Sequence, residues 1–214
     1  MSCAEFAATP YFLTMEADPS PEPSEMHATI DFSLMERIGA GDHAAFRQLV
    51  ERHQHAVIGT VAKMLGNASE AEDIAQQVFL RIWRHAKRYR PDAKFTTYLF
   101  TITRNLVFNE TRRRSRKKEV SADEREENSH HLIEAGTEYQ PDSELLQAEL
   151  QAAVDAAIAA LPETQRMAVV LRRYEQLSYE EIAVVLDLSV SAVKSVLFRA
   201  RTALRESLSG YLES

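Results

Sequence analysis

Ser178-Tyr-Glu-Glu-Ile-Ala-Val-Val-Leu-Asp-Leu-Ser-Val-Ser-Ala-Val-Lys-Ser-Val-Leu-Phe-Arg-Ala-Arg201 reads as two helices folded about a tight turn. Ser178 and Glu181 have the spacing of a capping box, in which a hydroxyl and a carboxylate satisfy the free backbone donors of a helix start. Ile182, Ala183 and Leu186 then share the inward face. Asp187-Leu188 makes the turn, and Ser189 caps a longer second helix. There Val193, Leu197, Ala200 and Leu204 recur at three- and four-residue steps, which lays one continuous core stripe. The opposite face presents Ser191, Lys194, Ser195, Phe198, Arg199 and Arg201. A helical hairpin that merely faces water rarely sets an aromatic among its cations. A helix in a DNA major groove has use for both, since Phe meets a thymine methyl while Lys and Arg meet phosphates and base edges. Arg172 and Arg173, just before the turn, are placed for phosphate contacts.

Outward from this unit the chain stays helical. Pro162 suits the first turn of a helix, so helices are expected over about 163–175, 178–186 and 189–208, with an Ala-rich helix from Asp142 to Ala160 before them. Nearer the N-terminus, Phe32, Met35 and Ile38 precede a Gly39/Gly41 break, after which Asp42 caps a helix carrying Phe46, Leu49, Val50, His53, Val57, Val61 and Leu65 on one face. Gly66-Asn67 ends it. Ser69 is the expected cap of the next helix, whose stripe is Ile74, Val78 and Ile82 with Trp83 as a further core residue, and which should run to about Tyr89 before Pro91. A further helix begins near Phe95 and enters the basic run Arg112–Lys118. Residues 119–141 are acidic and lack a sustained period, and residues 1–30 hold four prolines without one. The fold class is therefore all-α: two small helical domains (31–118 and 142–214) joined by an acidic flexible linker (119–141), behind a flexible N-terminal tail (1–30).

The net charge of −7 conceals an asymmetry. Arg81–Lys118 holds thirteen Lys/Arg against two acids, and Glu119–Glu149 ten acids against one Arg. An acidic protein thus carries a concentrated basic surface, and the local field is what a polyanion meets. Cys3 is the only cysteine, which excludes a disulfide framework and a cysteine-based zinc site. His53 and His55 diverge on their helix and His130-His131 falls in the linker, so no metal site is expected. No signal peptide, membrane-spanning stretch, Gly-rich phosphate loop or nucleophile–base pair is evident. These features point to a cytoplasmic protein that is not an enzyme and uses no cofactor.

Three segments carry a resemblance. Leu161-Pro-Glu-Thr-Gln-Arg166, Tyr174-Glu-Gln-Leu-Ser-Tyr-Glu-Glu-Ile-Ala183 and Ser189–Arg205 look like region four of the extracytoplasmic-function (ECF) sigma factors of bacterial RNA polymerase, which reads the −35 promoter element. The resemblance implies a −35 interface of Arg172, Arg173, Ser191, Lys194, Ser195, Phe198 and Arg199. Three positions depart from the family: Asp187 stands where its turn usually has Gly, Ala192 replaces a common Thr, and Val196 replaces a common Arg.

Glu72-Asp-Ile-Ala-Gln-Gln-Val-Phe-Leu-Arg-Ile-Trp83 resembles the region-two helix that docks on core polymerase, which implies that Asp73, Gln76, Gln77 and Arg81 make that contact. Phe95–Asn105 with Asn109 and the basic run resembles the part that engages the −10 element, which implies contacts from Thr97, Tyr98, Asn105, Asn109, Arg112 and Arg113, with Phe95, Leu99, Phe100 and Ile102 in the core. The chemistry suits single-stranded DNA, because cations track phosphates while amide and aromatic groups receive unstacked bases. The implied partners are core RNA polymerase, promoter DNA (duplex at −35, single-stranded at −10) and an anti-sigma factor, with no direct insertion into a membrane. The alternative is a helix-turn-helix regulator that dimerises and binds palindromic sites without polymerase, which leaves the Asp73–Trp83 match unexplained. A helix-turn-helix recombinase needs a nucleophile among clustered arginines, and none assembles.

Overall fold

The computed structural model describes residues 23–90, 92–120 and 143–209; the expected acidic linker beyond its first two residues, which end a helix, and most of the expected tail lie outside them. Within them run α1 (Pro23–Gly39), α2 (His43–Leu65), α3 (Ala68–His85), a 3-10 turn (Ala86–Arg88), α4 (Phe95–Val120), α5 (Ser143–Ala160), α6 (Glu163–Arg173), α7 (Tyr179–Leu186) and α8 (Val190–Ser207). No strand occurs among the described residues.

The boundaries have local causes. Asp42 accepts the backbone N–H groups of Ala44 and Ala45 at 2.8 and 3.0 Å, while Arg37 grips its other oxygen. Gly66 closes α2 in the left-handed region, φ 70°, which costs glycine little. Asn67, not Ser69, caps α3: its side chain accepts the Glu70 N–H at 3.3 Å, and the helix starts two residues after the glycine. Two other ends differ from expectation. α1 begins at Pro23 rather than near Asp31, a proline being pre-set for a first helical turn. α3 stops at His85, and the 3-10 turn carries the chain on to Tyr89, where ψ becomes extended.

Leu34, Met35 and Ile38 of α1 pack with Leu49, Val57 and Val61 of α2, Ile74, Val78 and Ile82 of α3, and Leu99 and Val107 of α4. Phe32 and Trp83 are only half-buried; Trp83 stacks on His43 at 4.7 Å and meets Phe46 edge-on. Along α4 the hydroxyls of Thr101, Thr103 and Thr111 donate to carbonyls four residues back, which lets threonine enter an apolar face without a stranded donor. In the second unit Met167, Val170, Leu171, Ile182, Val185, Val193, Leu197 and Ala200 form the core.

The two units are not separate in space. α6 lies on α2 and α7 lies on α4, and the buried apolar cluster is continuous across both. The sequence reading of two tethered domains did not anticipate this seam.

Candidate nucleic-acid interface

The α7–α8 pair is built as its sequence dictates. The Ser178 N–H donates to Glu181 Oε2 at 2.7 Å and the Glu181 N–H to Ser178 Oγ at 3.2 Å, completing the capping box. Asp187 takes the left-handed conformation, φ 57°, at the end of α7. Short polar side chains tolerate that region, so Asp fills the place without a glycine. Ser189 then accepts the Ala192 N–H and starts α8.

On α8, Val193, Leu197 and Ala200 are buried, and Ser191, Lys194, Ser195 and Phe198 line the opposite side. At 100° per residue, Arg199 and Arg201 flank Phe198 by roughly 100° and 60° on its two sides. The Phe198 ring is 70% exposed, so a large apolar group stands in water between cations. Ser195 spends its hydroxyl proton on the Ser191 carbonyl, which leaves its oxygen to accept. Val196 and Ala192 are half-buried, so neither substitution leaves a gap on the outward face.

Arg172 is in part otherwise engaged. It donates to the Leu177 carbonyl at 2.7 Å and lies over the Tyr179 ring, pinning the α6–α7 turn, in which Gln176 has φ 55°. The fixed turn was not legible in the sequence, because the carbonyl it serves has no side-chain signature. Arg173 is exposed.

A second surface runs along α3. Asp73, Gln76 and Gln77 are exposed on one line, with Arg81 at its edge. Leu80 sits in the middle of that line, 48% exposed, and the sequence reading missed it. The signal was present: Leu80 falls four residues after Gln76 and three after Gln77, off the Ile74/Val78/Ile82 stripe.

The third surface is α4. Asn105, Asn109 and Arg112 are exposed within one narrow strip, with Arg113 beside them. Arg113 pairs with Glu110 at 2.7 Å, and Arg114 turns inward to Glu70 and the Leu65 carbonyl, with burial lowering its pKa. The basic run is thus divided between surface and scaffold. Tyr98 is half-buried against Tyr89 and Phe95, and burial raises its pKa. Thr97, expected on this surface, is buried at 2% exposure. Phe95, Leu99 and Phe100 are core as expected, and Ile102 is half-buried.

Comparison with known proteins bears on these surfaces. Residues 49–117 match the family model for Sigma-70 region 2, and residues 151–204 match that for Sigma-70, region 4. The chain is 37% identical over 183 residues to the RNA polymerase sigma-H factor of Pseudomonas aeruginosa, covering 83% of this chain and 93% of that one. It is also 37% identical over 179 residues to the ECF RNA polymerase sigma-E factor of Escherichia coli K12, covering 81% and 92% respectively.

The chain belongs to the sigma-70 family, ECF type.

Two solved structures share the fold. CnrH in complex with the cytosolic domain of CnrY aligns over 85% of this chain and 98% of that chain, with TM-score 0.61 and 25% identity. The sigma factor RpoE in complex with the anti-sigma factor NepR from Bartonella quintana aligns over 77% and 96%, with TM-score 0.62 and 25% identity. In this sigma factor the region-2 match takes in α3 and the strip on α4, and the region-4 match takes in α6, α7 and the outward face of α8. No helix of the described residues is long and apolar enough to cross a membrane.

Proposed function

We propose that this alternative sigma factor binds core RNA polymerase through the α3 face and directs promoter-specific initiation through α4 and α8. The α3 contact uses Asp73, Gln76, Gln77 and Arg81 around an apolar centre at Leu80, the arrangement of a protein interface with one buried anchor and a polar rim. On α4, Asn105 and Asn109 receive unstacked bases of the −10 element while Arg112 and Arg113 hold phosphates, which offsets the cost of opening the duplex. Tyr98 borders that strip. On α8, Lys194, Ser195 and Phe198 meet base edges of the −35 element, and Arg173, Ser191 and Arg199 the backbone, with Arg172 bracing the turn.

The observation that carries the reading is the order of two exposed polar faces and one cation-flanked aromatic face on a chain matching both sigma regions. A dimeric regulator accounts for α8 but leaves the α3 face without a purpose. The sigma domains are taken as 31–118 and 142–214, with 119–141 as linker. The chain carries out no chemistry; phosphodiester synthesis belongs to the polymerase it joins, in the cytoplasm. An anti-sigma factor is its expected restraint, as in the similar RpoE complex.

Reconstituted transcription tests the proposal. Core polymerase with this chain should yield discrete, promoter-dependent transcripts that core alone does not. Equal transcript patterns with and without the chain would overturn it.

A further inference from the structure

One groove belongs to none of the three surfaces described above. Where the end of α1 meets the 3-10 turn, Phe32, Met35 and Tyr89 line an open cleft of about 890 Å³, a volume that admits several side chains. Met35 is buried while Phe32 and Tyr89 are half-buried, so the floor is apolar and still reachable. Lys87, Arg88 and Arg90 also line the cleft and are exposed, against a single acid, Glu36. Among the described residues none of these three cations has an ion-pair partner. An apolar floor beside unpaired cations suits a ligand that carries bulky apolar side chains and carboxylates close together.

The chain itself supplies such a ligand. Residues 1–22, which precede α1, hold Glu5, Glu16, Asp18 and Glu22 and no Lys or Arg. Within them Tyr11-Phe12-Leu13-Thr14-Met15-Glu16-Ala17-Asp18 sets large apolar side chains directly before two acids. The return path is short. From Pro23 to Met35 along α1 is about 18 Å at 1.5 Å per residue. About six residues of a proline-rich extended segment cover that distance at ~3.1 Å each, which brings Tyr11–Asp18 to the cleft. A tethered segment needs little intrinsic affinity, since a short linker presents it at a millimolar effective concentration.

We propose that the Tyr11–Asp18 segment folds back along α1 and docks in this cleft. Its apolar side chains rest on Phe32, Met35 and Tyr89, and Glu16 and Asp18 face Lys87, Arg88 and Arg90. The inference stands apart from the promoter-reading proposal, since it needs only the cleft and the segment. Its consequence is local: the chain's own carboxylates offset cations that would otherwise draw any polyanion. Through Tyr89, whose ring meets Phe95 and Tyr98, the occupied cleft is joined to the aromatic group at the start of α4.

The test uses the full chain with Cys3→Ser and spin labels on Thr9→Cys, just before the segment, and Ser33→Cys, an exposed position on α1 beside the cleft. Docking should give one narrow, short distance distribution. Glu16→Lys with Asp18→Lys should broaden and lengthen it, and so should Phe12→Ser with Leu13→Ser. Neither pair alters a residue of α1–α8, so the unfolding midpoint should not move. Lys87→Glu with Arg88→Glu should lose the short population in the same way. Joining those two changes to Glu16→Lys and Asp18→Lys should restore much of it, because the charges are exchanged across the contact. A starting distribution already as broad as that of the Glu16→Lys, Asp18→Lys protein overturns the proposal and leaves the cleft to a separate partner. A charge exchange that restores nothing also overturns it. Chains labelled only at Thr9→Cys, mixed with chains labelled only at Ser33→Cys, should show no short distance. A short distance in that mixture makes a second copy the occupant, and the fold-back is then wrong. The distances are read without polymerase or promoter, so their failure and that of the transcription assay are distinguishable.

Discussion

Asp187 shows how much one residue decides. Its φ of 57° is required by the turn between α7 and α8, and an L-residue held there costs roughly 1–2 kcal/mol unless its side chain is short and polar. Asp187→Val is therefore expected to lower stability by about 1–2 kcal/mol, and Asp187→Gly to leave it equal or higher, as read from urea unfolding. Ser178→Ala should cost about 1 kcal/mol in the same assay, because the Glu181 N–H loses its acceptor at a helix start. At this scale the sequence was legible wherever a side chain serves its own neighbourhood: the capping box, Asp42, Ser189. It misled at Ser69, where Asn67 lies two residues nearer the glycine and takes the cap, and it did not foresee that Thr97 is buried.

Among the elements, α8 and α3 carry the proposed recognition. α8 divides cleanly into a buried stripe and an exposed face, so substitutions on the two sides should separate. Phe198→Ala is expected to weaken −35 binding by roughly tenfold, the 1–3 kcal/mol of a good base contact, while leaving the unfolding midpoint unchanged. Leu197→Ala should instead lower stability by roughly 2–5 kcal/mol, because it empties a core position. Equal effects on folding and binding from both would contradict the division. On α3, Leu80→Ala together with Gln76→Ala should weaken binding to core polymerase in a competition assay while sparing binding to free −35 duplex. Periodicity made both faces visible in advance. It did not single out Leu80, because an apolar residue beside a polar line reads as ordinary surface until its exposure is seen.

For the whole molecule the seam is the new element, and Glu175 gives it a pH dependence. Its carboxyl is raised above the ordinary carboxylate range, first by burial, opposed by the hydrogen bond from Thr60 and the charge of His53 on α2; Lys63 lies on the same helix. The closed form thus binds a proton at Glu175 more tightly than an opened form, in which the side chain meets water. Wherever the closed form holds more protons, its stability falls as pH rises. The seam is expected to weaken as pH climbs from about 4.5, the ordinary glutamate value, through the raised pKa, and to hold best on the acid side. Distances between spin labels on Ser33→Cys and Ser207→Cys, in a Cys3→Ser background, should lengthen across that window with rising pH, and Glu175→Gln should flatten the response. A Glu175→Gln protein with an unaltered pH profile would place the titrating group elsewhere.

The sequence by itself determined the helices, most of their caps, the basic and acidic partition, and the family, because each depends on residues three or four apart or on short ordered motifs. It also placed the exposed polar faces proposed to read DNA, since a face follows from helical phase once the core stripe is known. Only the tertiary structure decided which members of those faces are free. Arg114 and Arg172 were indistinguishable in sequence from the exposed arginines beside them, and both proved to serve carbonyls of a neighbouring turn or helix end. The same holds for Arg104 and Arg166, whose partners are backbone carbonyls of distant residues. A carbonyl is common to every residue and leaves no mark in the sequence, so the seam that joins the two units became visible only when the chain was folded.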